Sequence, residues 1–77
     1  MVIVYSTQWC AFCHAAKQYF DKLGIKYDDR DVEKDIASAH EAVNKSGQMG
    51  IPVIDIDGTI IVGFDRPRID AALLARK

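Results

Sequence analysis

The feature that most constrains this chain is the run Val2-Ile3-Val4-Tyr5, which is apolar at every position and β-branched at three of them. A strand with no polar alternation is covered on both faces, so it belongs inside a sheet that carries layers on either side. After an interruption at Ser6 to Trp9, the apolar positions Phe12, Ala16, Tyr19, Phe20 and Leu23 follow helical spacing over Ala11 to Leu23, and Gly24 supplies the stop. A second strand is expected at Ile25 to Tyr27, leading into the acidic stretch Asp28 to Asp31. A strand, a helix and a strand in that order close as a parallel pair with a right-handed crossover.

The rest of the chain continues the alternation. From about Glu33 to Lys45, the positions Ile36, Ala39, His40 and Val43 recur at three- and four-residue spacing, and Ser46-Gly47 ends this second helix. Pro52 to Asp57 and Thr59 to Val62 are β-branched runs joined by Asp57-Gly58, a two-residue hairpin signal. Gly63 breaks the last strand, Asp65 can cap a helix, and Pro67 stands where a first-turn proline is tolerated. Ile69, Ala72, Leu73 and the stem of Arg76 then give a last amphipathic helix. The order β-α-β-α-β-β-α predicts an α/β domain spanning 1–77, built on a four-stranded mixed sheet with helices on both faces.

Composition narrows the function classes. Hydrophobic residues make up 49% and charged ones 27% of the 77 positions, which excludes a disordered tail. Ten basic residues against eleven acidic ones, for a net charge of −1, leave no basic field for phosphates, so no nucleic-acid partner is expected. No apolar run approaches the ~20 residues that span a bilayer, and the first ten residues lack a basic region followed by a long apolar one. A cytoplasmic protein without a membrane partner is expected.

The two cysteines, Cys10 and Cys13, fall where the first strand hands over to the first helix, the end at which open α/β sheets place their sites. At that position Cys10 faces unsatisfied N–H groups and the positive end of the helix dipole. Both favour thiolate, with pKa values of roughly 3.5–7.5 typical of such places. Cys10 is therefore the expected nucleophile, and Cys13, one turn deeper, the resolving thiol. Lys17, four residues beyond Cys13, either adds positive potential or is a solvated lysine. Three other readings of the pair compete: two buried apolar cysteines, a haem attachment in which Cys10-Ala11-Phe12-Cys13 is followed by His14, and a zinc site using His14 and His40. The haem reading belongs to exported proteins, and the zinc reading is short of a fourth ligand because His14 points away from the sulfurs. His14 itself is expected at the surface.

With the cysteines on that turn, the sequence resembles the glutaredoxin family from Val2 to about Leu74. The landmarks appear in order: Val2-Ile3-Val4-Tyr5, Trp9-Cys10-Ala11-Phe12-Cys13, Gly50-Ile51-Pro52-Val53 and Gly63-Phe64-Asp65. The tract Ser46-Gly47-Gln48-Met49-Gly50-Ile51-Pro52-Val53-Ile54 is most similar to small bacterial glutaredoxin-like proteins of the YruB type. Gly63-Phe64-Asp65-Arg66-Pro67 resembles the tail of the glutaredoxin-like hydrogen donors of ribonucleotide reductase.

The resemblance implies a minimal thioredoxin fold and a dithiol–disulfide oxidoreductase acting on disulfide-containing proteins or glutathione mixed disulfides. Glutathione or thioredoxin reductase would restore the dithiol. No permanently bound cofactor is implied, with glutathione as a possible co-substrate, and a monomer is expected. A second implied possibility is a glutathione-assisted iron–sulfur cluster module without disulfide turnover. By the same resemblance Pro52 is cis and faces the cysteines, the residue before it, Ile51, clamps an extended substrate, and Phe64 and Asp65 hold the γ-glutamyl end of glutathione. Asp65 can equally be a helix cap alone. Thr7 stands where many glutathione-using members carry a lysine or arginine, and the missing charge-assisted contact of ~1.5–3 kcal/mol weakens glutathione binding about tenfold or more. Ala11 replaces the usual proline, and Phe12 lacks the common tyrosine hydroxyl. Trp9, Phe12 and Phe64 are expected to form an apolar rim around Cys10. Specificity must then come from Thr7, Trp9, Ile51, Phe64 and Arg66.

Overall fold

A computed structural model of the chain describes residues 1–48 and 50–75. Its elements are β1 (Val2–Ser6), α1 (Ala11–Leu23), β2 (Asp28–Asp31), α2 (Ile36–Ser46), β3 (Val53–Ile56), β4 (Thr59–Val62) and α3 (Arg66–Leu74). The sheet order is β2-β1-β3-β4, with β1 parallel to β2, antiparallel to β3, and β3 antiparallel to β4. The expected mixed four-stranded sheet is therefore present. Arg76, expected in the last helix, lies outside the described residues.

All five residues of β1 are buried because the strand divides its side chains between two clusters. Val2 and Val4 join Ile54, Ile56 and Ile61 against Ala16 and Phe20 of α1 and Ile69 and Ala72 of α3. Ile3 and Tyr5 turn the other way, with Val53, to meet Ala42 of α2. The period-two geometry of a strand thus turns an unbroken apolar run into contacts on both faces. Between β3 and β4, Asp57 (φ 50°) and Gly58 (φ 96°) both take positive φ, the two-residue turn that the Asp-Gly pair signals. The Gly58 amide donates to Asp55 Oδ1 at 2.8 Å and reinforces it.

The α2 face carries a polar network on its small apolar cluster. Tyr5 Oη donates to Glu41 at 2.5 Å and accepts from Lys45 Nζ at 2.9 Å, while Lys45 also reaches Asp55 Oδ2 at 2.7 Å. Arg30 bridges Glu41 and Asp28 at 3.0 Å each. The Asp55 hydrogen bond first, and the Tyr5 hydroxyl second, raise the Lys45 pKa, so its ammonium persists well beyond the ordinary lysine range. Burial first, then the bond to Glu41, raises the Tyr5 phenol. The network fastens α2 to three neighbouring strands with directional bonds.

Two expectations are corrected. The second strand is not Ile25–Tyr27 but Asp28–Asp31. Ile25 and Tyr27 instead pack beside the α1 and α3 cluster, and pairing of Ile3 with Asp28 through Ser6 with Asp31 carries the strand into the acidic stretch. An edge strand needs no apolar run, since one side of its backbone faces water. The second helix begins at Ile36, with Asp35 as its cap, rather than near Glu33. Its buried positions are Ser38 and Ala42, four apart, whereas Ile36 is 72% exposed and His40 also faces solvent.

Candidate active site

Strand pairing gathers the site. Ser6 at the end of β1 lies opposite Asp31, Tyr5 lies opposite Val53, and Val53 lies opposite Val62. The segments that follow or precede these residues, 7–10, 32–35, 50–52 and 63–65, therefore emerge at one end of the sheet. Thr7, Trp9, Cys10, Ile51, Pro52, Phe64 and Asp65 all belong to that end.

Cys10 is the N-cap of α1, with extended backbone (φ −87°, ψ 113°), and its carbonyl accepts the first helical bond from the His14 amide at 3.1 Å. The Cys10 Sγ accepts from the Cys13 amide at 3.1 Å. This is the place of a capping oxygen, filled here by sulfur. Cys10 and Cys13 are joined as a disulfide, with Cα atoms 5.2 Å apart, inside the range a disulfide spans. Cys10 keeps 8% exposure and Cys13 none. An attacking thiol of a substrate, or a substrate disulfide after reduction, meets Cys10 first.

Next to the pair in sequence, Trp9 is 72% and Phe12 68% exposed, so both aromatics project into solvent. Phe64 is half-buried. Its ring sits 6.0 Å from that of Tyr19, edge to face, and packs on the core cluster. Large aromatics bury where a neighbouring ring offers a partner. Asp65 caps α3, accepting from the Arg68 amide at 3.3 Å and facing the Arg68 guanidinium at 3.5 Å. Arg66 is exposed and stacks over Tyr19 with its guanidinium 4.6 Å from the ring centre.

The Ile51–Pro52 peptide is cis; Pro52 is buried and Ile51 half-buried. The Pro52 carbonyl accepts from the Gly63 amide at 2.8 Å, which ties the 50–52 and 63–65 segments together. Thr7 is only 4% exposed, and its Oγ1 has no hydrogen-bond partner. Lys17 is neither solvated nor unpaired: its ammonium meets Asp29 at 3.1 Å, and Asp29 also accepts from the Ser6 hydroxyl. His14 is exposed, as expected, and its Nε2 donates to the Gln8 carbonyl at 2.6 Å. Among the described residues, no three of His, Cys, Asp and Glu group as a metal site, and no helix is long and apolar enough to cross a membrane.

Sequence reasoning missed Glu33 and Asp31. Glu33 Oε2 accepts from the Trp9 indole N–H at 2.5 Å, and Asp31 Oδ1 holds the Glu33 and Lys34 amides at 2.9 and 3.1 Å. The signal was the acidic run from Asp28 to Asp35, which reads as a solvated loop until β2 is seen to end beside the cysteine turn.

The glutaredoxin family model matches residues 2–61. An uncharacterized glutaredoxin-like 8.6 kDa protein in the rubredoxin operon of Clostridium pasteurianum is 41% identical over 70 residues, covering 91% of this chain and 93% of its own. Among solved structures, a mutant of the thioredoxin-like protein BC3987 superposes with a TM-score of 0.88 at 25% identity, over 95% of this chain and 99% of that one. The glutaredoxin-like protein NrdH-redoxin from Escherichia coli, whose structure is described for a thioredoxin-like activity profile, gives 0.75 at 25% identity, over 99% and 95%. With its thioredoxin-type sheet and a thiol–disulfide pair at the start of α1, the chain belongs to the glutaredoxin family.

Proposed function

We propose that this protein is a cytoplasmic dithiol–disulfide oxidoreductase that reduces protein disulfides or glutathione mixed disulfides. The observation that carries the reading is the asymmetry of the two cysteines: Cys10 caps a helix and keeps 8% exposure, whereas Cys13 has none. After reduction, the Cys13 amide and the N-terminal end of α1 stabilise negative charge on Cys10 Sγ, so Cys10 attacks as the thiolate. It attacks one sulfur of the substrate disulfide, the substrate S–S bond breaks, and one thiol leaves with a proton. Cys13 then loses its proton and attacks Cys10 Sγ. The mixed disulfide breaks, the second thiol leaves, and the Cys10–Cys13 disulfide remains. Two electrons and two protons have passed to the substrate.

Ile51 is the proposed backbone clamp for an extended substrate, with Pro52 behind it and Trp9 and Phe12 as apolar contacts. Phe64 and Asp65 are the proposed γ-glutamyl contacts. No resident cofactor takes part; glutathione serves as co-substrate, or thioredoxin reductase restores the dithiol, and the chain acts as a monomer. The test supplies oxidised protein with either glutathione and its reductase or thioredoxin reductase, and follows NADPH consumption in the presence of a protein disulfide. Turnover is expected with at least one donor, lost in Cys10→Ser. In Cys13→Ser, mixed disulfides with substrates accumulate and are seen by mass spectrometry. Undiminished dithiol turnover in Cys10→Ser overturns the assignment.

A further inference from the structure

Beside the disulfide, Gln8, Trp9, Asp31, Glu33 and Lys34 line a cleft of about 290 Å³. That is just under the ~300–1,000 Å³ of small-molecule sites, and suits one side chain better than a whole tripeptide. Its wall is Trp9, which immediately precedes Cys10 and is held by Glu33 through the indole N–H. The bond fixes the ring while leaving most of the residue exposed. Among the described residues, neither the Asp31 nor the Glu33 carboxylate has an ion-pair partner, unlike Asp28, Asp29 and Asp55, each of which does. Lys34 is the one cation lining the cleft, and Arg30 is spent on Asp28 and Glu41. From Asp28 to Asp35 the chain carries five carboxylates against two cations.

We propose that this cleft seats a basic side chain, arginine or lysine, placed beside the reactive disulfide of a protein substrate, so that basic protein disulfides are selected over anionic ones. The inference rests on the oxidoreductase reading and names its substrate class. The cation lies over the Trp9 face, where the ring quadrupole attracts it, and within reach of Asp31 and Glu33. The same surface repels oxidised glutathione, which has two more carboxylates than ammonium groups. Thr7, buried and without charge, offers that molecule no compensating cation.

The test uses the reduced full chain in single turnovers with a disulfide-bridged peptide made in three forms, flanked by arginine, alanine or glutamate. Trp9, the single tryptophan, reports the exchange by fluorescence. Expected is a rate order of arginine over alanine over glutamate, with oxidised glutathione among the slow substrates. The arginine-to-glutamate ratio should be about three- to tenfold at low salt and shrink at about 0.5 M KCl. Glu33→Lys should bring the ratio to one or invert it, and Asp31→Asn with Glu33→Gln, which leaves each side chain one oxygen to accept the Trp9, Glu33 and Lys34 N–H groups while removing the charge, should reduce it. A ratio near one in the unmodified protein overturns the inference, as does a ratio that survives Glu33→Lys. Exchange with none of the peptides overturns the oxidoreductase reading itself, and this inference with it.

Discussion

The three helices of this protein begin in the same way, on an extended residue whose side chain accepts a backbone N–H, but not with the same atom. α2 and α3 begin with the carboxylates of Asp35 and Asp65, whereas α1 begins with the sulfur of Cys10. Sulfur is the weaker acceptor and adds no permanent charge opposite the dipole, so α1 is the helix whose start is least well satisfied while its cysteines are thiols. That deficit is the source of reactivity: the unfilled demand for negative charge at the N-terminus is met when Cys10 becomes a thiolate. The aspartates at the other two helices spend the same field on stability alone.

Exchanging these caps separates chemistry from stability. The largest effect is expected from Cys10→Ser, which places an ordinary capping hydroxyl on α1. Disulfide exchange should fall by at least about 10³-fold, while the urea midpoint stays within error of the reduced parent, because serine caps well. A large drop in midpoint would mean that sulfur contributes to the cap in a way that oxygen does not replace.

Next comes Asp65→Ala, which leaves the α3 start unsatisfied and should cost about 1 kcal/mol in equilibrium unfolding. Asp65→Asn restores the cap without the charge. If that variant recovers stability but loses turnover with glutathione as donor, the residue also serves the substrate. Recovery of both leaves Asp65 as a cap only.

The smallest effect is a pH dependence at α2. Asp35 is held below the ordinary carboxylate range, first by the Ser38 hydroxyl and then by the Ala37 and Ser38 amides. A carboxylate depressed in the folded state adds stability that is complete above its unfolded pKa of about 3.9 and is lost as pH falls through the lower folded value. Glu41, lowered chiefly by the Tyr5 hydroxyl, acts in the same direction. Urea midpoints should therefore be flat from about pH 7 to 5 and fall below about pH 4. Asp35→Asn should flatten part of that acid limb while keeping the cap, and an unchanged limb would assign the loss to Glu41 and its neighbours.

The sequence announced α1 and the hairpin because their determinants are local: a helical apolar period closed by Gly24, and the Asp57-Gly58 pair that accepts positive φ. β2 was misplaced because its position depends on pairing with β1, and an edge strand of Asp28-Asp29-Arg30-Asp31 carries no hydrophobic signature of its own. α2 was started early because Ile36 reads as a core residue, yet Asp35 caps just before it and turns it outward. At the site, the cysteine spacing and its strand-to-helix setting are visible in a few adjacent letters. The Trp9 to Glu33 contact joins residues 24 positions apart and required the sheet to be assembled first.

The acidic edge strand β2 also bears on how these molecules meet one another. A sheet of four strands has two open edges, and endless ribbons form only when both accept a newcomer. Here a neighbour approaching along β2 meets Asp28, Asp29 and Asp31, whereas β4 presents Thr59, Ile60, Ile61 and Val62. With one edge closed by charge, any pairing through β4 ends at two copies, and growth into a fibre has nowhere to continue.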